Sequence, residues 1–151
     1  MKTKIGTAQL RFFGWRVYTV TLFSTADLIP SQYAQTPLSL HIEYHRALEG
    51  RLIAERSLLE IKRQGKIQDD VATRWMAVMT QAFPNIAVGD RLIGQTDGKG
   101  LVAFLHNDVM TAQIQDVDFA KRFFGIWLHE SSSAPEMRTQ LLGLTKGREG
   151  S

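Results

Sequence analysis

DVDFAKRFFGIWLHESSSAPEMRTQLLG, residues 116–143, is the stretch whose reading decides the fold. On a helical wheel Phe119, Ala120, Phe123, Phe124, Ile126, Trp127 and Leu128 cover about half the circumference, leaving Lys121, Arg122, Gly125 and His129 for water. A surface helix needs a narrower apolar stripe, so this one is expected in the middle of the domain. Asp116 or Asp118 supplies its N-cap. Ser133-Ala134-Pro135-Glu136 then has the S-x-x-E spacing of a capping box, with proline in the first turn of a second helix. Met137 and Leu141 meet at i,i+4 beside Leu142, and Gly143 stops that helix.

Working outward, Lys4–Phe13 and Trp15–Ser24 read as two strands of a hairpin turning at Gly14, the second rich in β-branched and aromatic residues. Thr25–Pro37, with two prolines and mixed polarity, reads as a loop. Leu38–His45 alternates apolar Leu38, Leu40, Ile42 and Tyr44 with Ser39, His41, Glu43 and His45, the pattern of a strand with one buried face. His41 and His45 lie on its polar face without a third ligand nearby, so they read as solvated histidines and no metal site is assigned. A helix follows over Leu48–Gln64 and ends at Gly65. Ile53, Ala54, Leu58 and Ile61 form one arc with Ser57 inside it, while Leu52 and Leu59 lie nearly opposite. The Ser57 hydroxyl either bonds back to the Ile53 carbonyl or is lent to a ligand. Asp69 or Asp70 caps the next helix, which Pro84 stops. Its apolar half carries Trp75, Met76 and Met79, which form plain core or line a ligand pocket.

Arg91–Gln95, Leu101–His106 and Met110–Gln115 are three short strands separated by the turn sequences TDGKG and Asn107-Asp108, hence an antiparallel meander. The order βββ-αα-βββ-αα gives an α+β fold, an antiparallel sheet with a layer of helices on one face, in one domain spanning residues 1–151. The gap between the two broadly apolar helices, 71–83 and 116–128, is where a ligand is expected.

Composition narrows the function. The 151 residues are 44% apolar and 22% charged, and the net charge of +3 is spread among both signs, so no nucleic-acid footprint is expected. No apolar run is long enough to span a membrane. Cysteine is absent, which excludes disulfides and thiolate chemistry. No G-x-S-x-G, zinc ligand set or phosphate loop is present, so no catalytic residue and no cofactor are assigned. A sheet-and-helix layer this rich in aromatic and methionine side chains holds an apolar small molecule, with a few polar groups orienting it. The candidates for that role are Tyr18, Arg11, Arg16 and Ser57, with Trp75 in the apolar lining.

GTAQLRFFGWRVYTVTLF (6–23), ERS (55–57), GDRL (89–92), FAKRFFGIWL (119–128) and LLG (141–143) together resemble the bacterial chalcone isomerase-like proteins, over nearly the whole chain and in order. The resemblance implies the chalcone isomerase fold. Bacterial members resemble exported proteins, which implies the mature part of a periplasmic protein whose signal peptide has been removed. If Met1 is the natural start, the chain is cytoplasmic. Plant chalcone isomerases close a chalcone to a flavanone without a cofactor, using an arginine on the first hairpin strand and a threonine on the second. Matching the hairpins puts Leu10 at the arginine and Tyr18 at the threonine, with Arg11 pointing to the other sheet face. Without that guanidinium, flavanone formation is not expected. Other relatives of the fold hold fatty acids with an arginine and a tyrosine. The expectation is non-catalytic binding of a fatty acid-like or aromatic ligand. Two alternatives stand beside it: a cofactor-free lyase or isomerase of unsaturated carbonyl compounds using Tyr18, and a protein-interaction module using Thr25–Pro37 and the outer sheet face.

Overall fold

Six strands pair in chain order into one antiparallel sheet: β1 (Thr3–Phe12), β2 (Trp15–Ser24), β3 (Leu38–Tyr44), β4 (Arg91–Thr96), β5 (Leu101–His106) and β6 (Val109–Gln115). Helices α1 (Gly50–Arg63) and α2 (Asp69–Ala82) follow β3, and α3 (Val117–Leu128) and α4 (Pro135–Leu141) follow β6. The computed structural model describes residues 2–12 and 14–144. Phe13, expected to end the first strand, and Met1, on which the choice of start rests, lie outside the described residues.

Alternation along the strands builds the buried face. Leu22, Leu40, Gly94, Phe104 and Ala112 are successive cross-strand neighbours, and all are buried. Helix α3 is seated on this row. The Phe123 ring meets Phe104 edge-on at 5.0 Å and stacks on Phe119 at 5.8 Å, pairs worth about 0.5–1.5 kcal/mol each beyond their buried area. Gly94 leaves room for it, since a β-carbon there would stand 3.2 Å from the Phe123 ring. Asp116 caps α3 as its position suggests: Oδ1 accepts from the Phe119 amide at 3.0 Å, and Oδ2 accepts from Trp75 Nε1 at 3.0 Å.

Several local expectations give way to tertiary contacts. The capping box before α4 does not form. Ala134 takes the cap position, while Ser132 Oγ accepts from the Ala134 amide and donates to the Ile126 carbonyl. Asp69 and Asp70 lie inside the first turn of α2, where their charge still suits the positive end of the helix, and Gln68 is the cap residue. Helix α1 starts two residues later than expected, because Leu48 is held extended by an antiparallel bridge to Ile86. The Thr25–Pro37 stretch contains a 3-10 helix, Pro30–Gln35, whose buried Tyr33 donates its hydroxyl to the Lys121 carbonyl of α3 at 3.1 Å.

The helices do not all meet the sheet. Helix α4 packs on β1 and β2 and α2 packs on β6, whereas α1 packs mainly on α2 and α3. This leaves space under α1 at the β1–β3 end. That end is closed where two stretches of the sequence signature meet: a β-carbon on Gly6 of β1 would collide with the Gln140 and Leu141 carbonyls at the end of α4. In a strand, glycine to alanine ordinarily stabilises by limiting the unfolded chain. Here the obstacle is backbone, which cannot rotate away, so Gly6→Ala is expected to lower the unfolding free energy by about 1–3 kcal/mol, read from denaturant midpoints.

Candidate functional site

The space under α1 is a cavity of about 290 Å³. That is near the lower end of the roughly 300–1,000 Å³ usual for small-molecule pockets. Its floor is the sheet, with Leu10, Tyr18 and Tyr44 side by side across β1, β2 and β3. Leu10 and Tyr18 are direct cross-strand partners. One wall is the C-terminal half of α3 with Phe123, Ile126 and Trp127, continued by Ala134 and by Met137 of α4. The roof is one stripe of α1: Leu52, Ile53, Arg56, Ser57 and Glu60. These recur at three- and four-residue spacing and so share a face.

Tyr18 is the best-fixed polar group. Trp127 Nε1 donates to its hydroxyl oxygen at 3.0 Å, and its ring meets Tyr44 edge-on at 5.7 Å. Indole N–H is a donor only, so the phenol oxygen is the acceptor and its own proton is left over. No acceptor for that proton exists among the described residues. The Tyr44 and Ser57 hydroxyls, also in the lining, likewise have no hydrogen-bond partner among the described residues. No buried side-chain nitrogen or oxygen there is cut off from both partner and solvent, so these hydroxyls open onto the cavity. The Ser57 back-bond to Ile53 is not made.

The charged pair in the roof is asymmetric. Arg56 Nη2 lies 3.4 Å from Glu60 Oε2, with 71% of the arginine side chain exposed but only 12% of the glutamate. Burial pushes the Tyr18 phenol up to about 12. The Trp127 N–H pulls it the other way, and Glu60 raises it more than Arg56 lowers it. The phenol is therefore a neutral donor throughout the physiological range.

Of the residues singled out from sequence, Tyr18 and Ser57 face this cavity together. Arg11 and Arg16 are not in its lining. They sit opposite each other on exposed hairpin backbone, and Arg11 donates to Gln9 Oε1 at 2.9 Å. Trp75 is not in the lining either. It is 1% exposed, bonded to Asp116 and packed edge-on against Phe119 at 5.5 Å, which makes it core. The cavity accordingly lies between α1 and the sheet rather than between α2 and α3. Sequence reasoning missed Arg56, Glu60 and Tyr44. The signal was present in α1, where Ser57 lies inside the apolar arc and Arg56 and Glu60 fall between that arc and Leu52, because this helix serves two interfaces.

All three tyrosines of the chain titrate high. Tyr33 is also pushed up to about 12 by burial, and burial raises Tyr44 as well. A raised folded value means stability that is complete below the ordinary phenol value of about 10 and is lost as pH rises through the folded one. Spectrophotometric titration should therefore show no phenolate at about pH 10, with ionisation appearing only at more alkaline pH alongside unfolding. A half-ionised tyrosine at about pH 10 in folded protein would contradict the enclosure described here.

A solved structure of the same architecture is that of a fatty-acid binding protein of Arabidopsis thaliana, with a TM-score of 0.70 over 93% of this chain and 86% of that one at 10% sequence identity. At that identity the likeness shows the fold. Among curated protein sequences none matches the chain significantly. The family model described as chalcone isomerase-like matches residues 7–143, from the middle of β1 to just past the end of α4. The chain belongs to the chalcone isomerase-like family.

Proposed function

We propose that this protein binds an apolar small molecule, acyl or aromatic, in the cavity between α1 and the β1–β3 end of the sheet. The observation that carries the reading is a largely apolar cavity into which the Tyr18 proton and the Tyr44 and Ser57 hydroxyls open without protein partners. An apolar lining with a few fixed donors is the usual composition of a ligand site, the donors orienting what the lining desolvates. The Arabidopsis structure of the same fold is named for fatty-acid binding, which agrees with this reading as far as the apolar part of a ligand is concerned. Native mass spectrometry of the purified protein, with lipid extraction, should recover a bound compound carrying an acceptor oxygen. Tyr18→Phe keeps the ring and removes the donor, so it should weaken that compound by about three- to tenfold, the worth of one hydrogen bond. Unchanged affinity would remove Tyr18 from the site.

A second reading rests on the same hydroxyl. A neutral phenol polarised by Trp127 and standing near the Glu60 carboxylate can protonate or stabilise an enolate, the step a cofactor-free lyase or isomerase of unsaturated carbonyl compounds requires. Isomerisation of simple enones that is abolished by Tyr18→Phe and absent with heat-unfolded protein would favour this reading over passive binding.

A further inference from the structure

The two charges of the cavity roof are unequally placed. Glu60 presents a carboxylate to the lining with its side chain only 12% exposed, whereas the Arg56 guanidinium that balances it is 71% exposed. Water screens the arginine at the rim far more than the glutamate in the wall, so the field inside the cavity is that of the carboxylate. The other polar side chains in the lining are hydroxyls, those of Tyr18, Tyr44, Ser57 and Ser133, which recognise a neutral oxygen without any charge of their own. An incoming carboxylate would have to displace water near Glu60 and compete with it for a guanidinium already paired at 3.4 Å.

Resting on the reading of this cavity as a binding site, we propose that it takes acyl or aromatic compounds whose polar end is an uncharged carbonyl, such as an ester, ketone or amide, and that Glu60 excludes free carboxylates. Glu60 is thus a specificity-determining residue: the tyrosine donors hold the carbonyl and the glutamate sets which oxygen functions are admitted. The electrostatic influence on Tyr18 points the same way, Glu60 outweighing Arg56.

The test is a matched pair, decanoate and methyl decanoate, titrated at neutral pH into the full chain and followed by quenching of tryptophan fluorescence, since Trp127 borders the site. Methyl decanoate is expected to bind at least about tenfold more tightly than decanoate. Glu60→Gln, which keeps the shape and removes the charge, is expected to close that gap by tightening decanoate. Equal or tighter binding of decanoate by the unaltered protein would overturn the charge selection while leaving the cavity as a ligand site. A ratio unmoved by Glu60→Gln would remove Glu60 as its cause. Failure of both compounds to bind would overturn the binding reading itself, and this inference with it.

Discussion

The seating of α3 on the centre of the sheet is the constraint on which the rest depends. Phe123 over Gly94 and against Phe104, with Phe119 stacked beside it, brings the helix down onto the sheet. Trp127, one turn further on, then reaches Tyr18 across 109 residues of sequence. Helix α1, resting on α2 and α3, is thereby held clear of β1–β3. The cavity is what remains when large aromatic side chains fill one end of the sheet–helix interface and the roof helix is set by its neighbours rather than by the strands.

Much of this was legible in the chain, where local pattern and tertiary role agree. The half-apolar wheel of residues 116–128 predicts a buried helix, and Asp116 is one of two candidate caps, because both features depend on residues within one or two turns. The hairpin itself was legible, and within it the structure pairs Leu10 with Tyr18 across the two strands. Features set by remote partners were not legible. The S-x-x-E sequence before α4 does not cap, because Ser132 rather than Ser133 is the hydroxyl within reach of both the Ile126 carbonyl and the Ala134 amide. The pattern around Trp75 favours core while allowing a pocket lining, and it is Asp116 accepting its N–H that decides for core.

The site shows the same division. Tyr18 stands out as an aromatic in a strand with a polar tip, yet its value lies in which of its two hydrogen-bonding capacities Trp127 consumes. Composition and spacing carry no trace of that. Arg11 and Arg16 draw attention as the cations nearest Tyr18 in sequence, while the cation near it in space comes from α1. The roof residues Arg56 and Glu60 look like an ordinary i,i+4 surface pair. Only the unequal exposure of the two partners makes them part of the cavity's chemistry.

Helix α1 is tied at both ends. Before its first turn Leu48 bridges to Ile86, and the Gly50 amide donates to Asn85 Oδ1 at 3.0 Å. After its last turn Gln64 Nε2 donates to the Arg122 carbonyl at 2.8 Å, and Arg122 Nη1 donates to the Gly65 carbonyl at 2.7 Å. The roof is therefore a clamped beam rather than a hinged flap. Its mid-span cannot lift away from the sheet without breaking an anchorage. A guest that fits meets walls already in place and loses little free energy to ordering them.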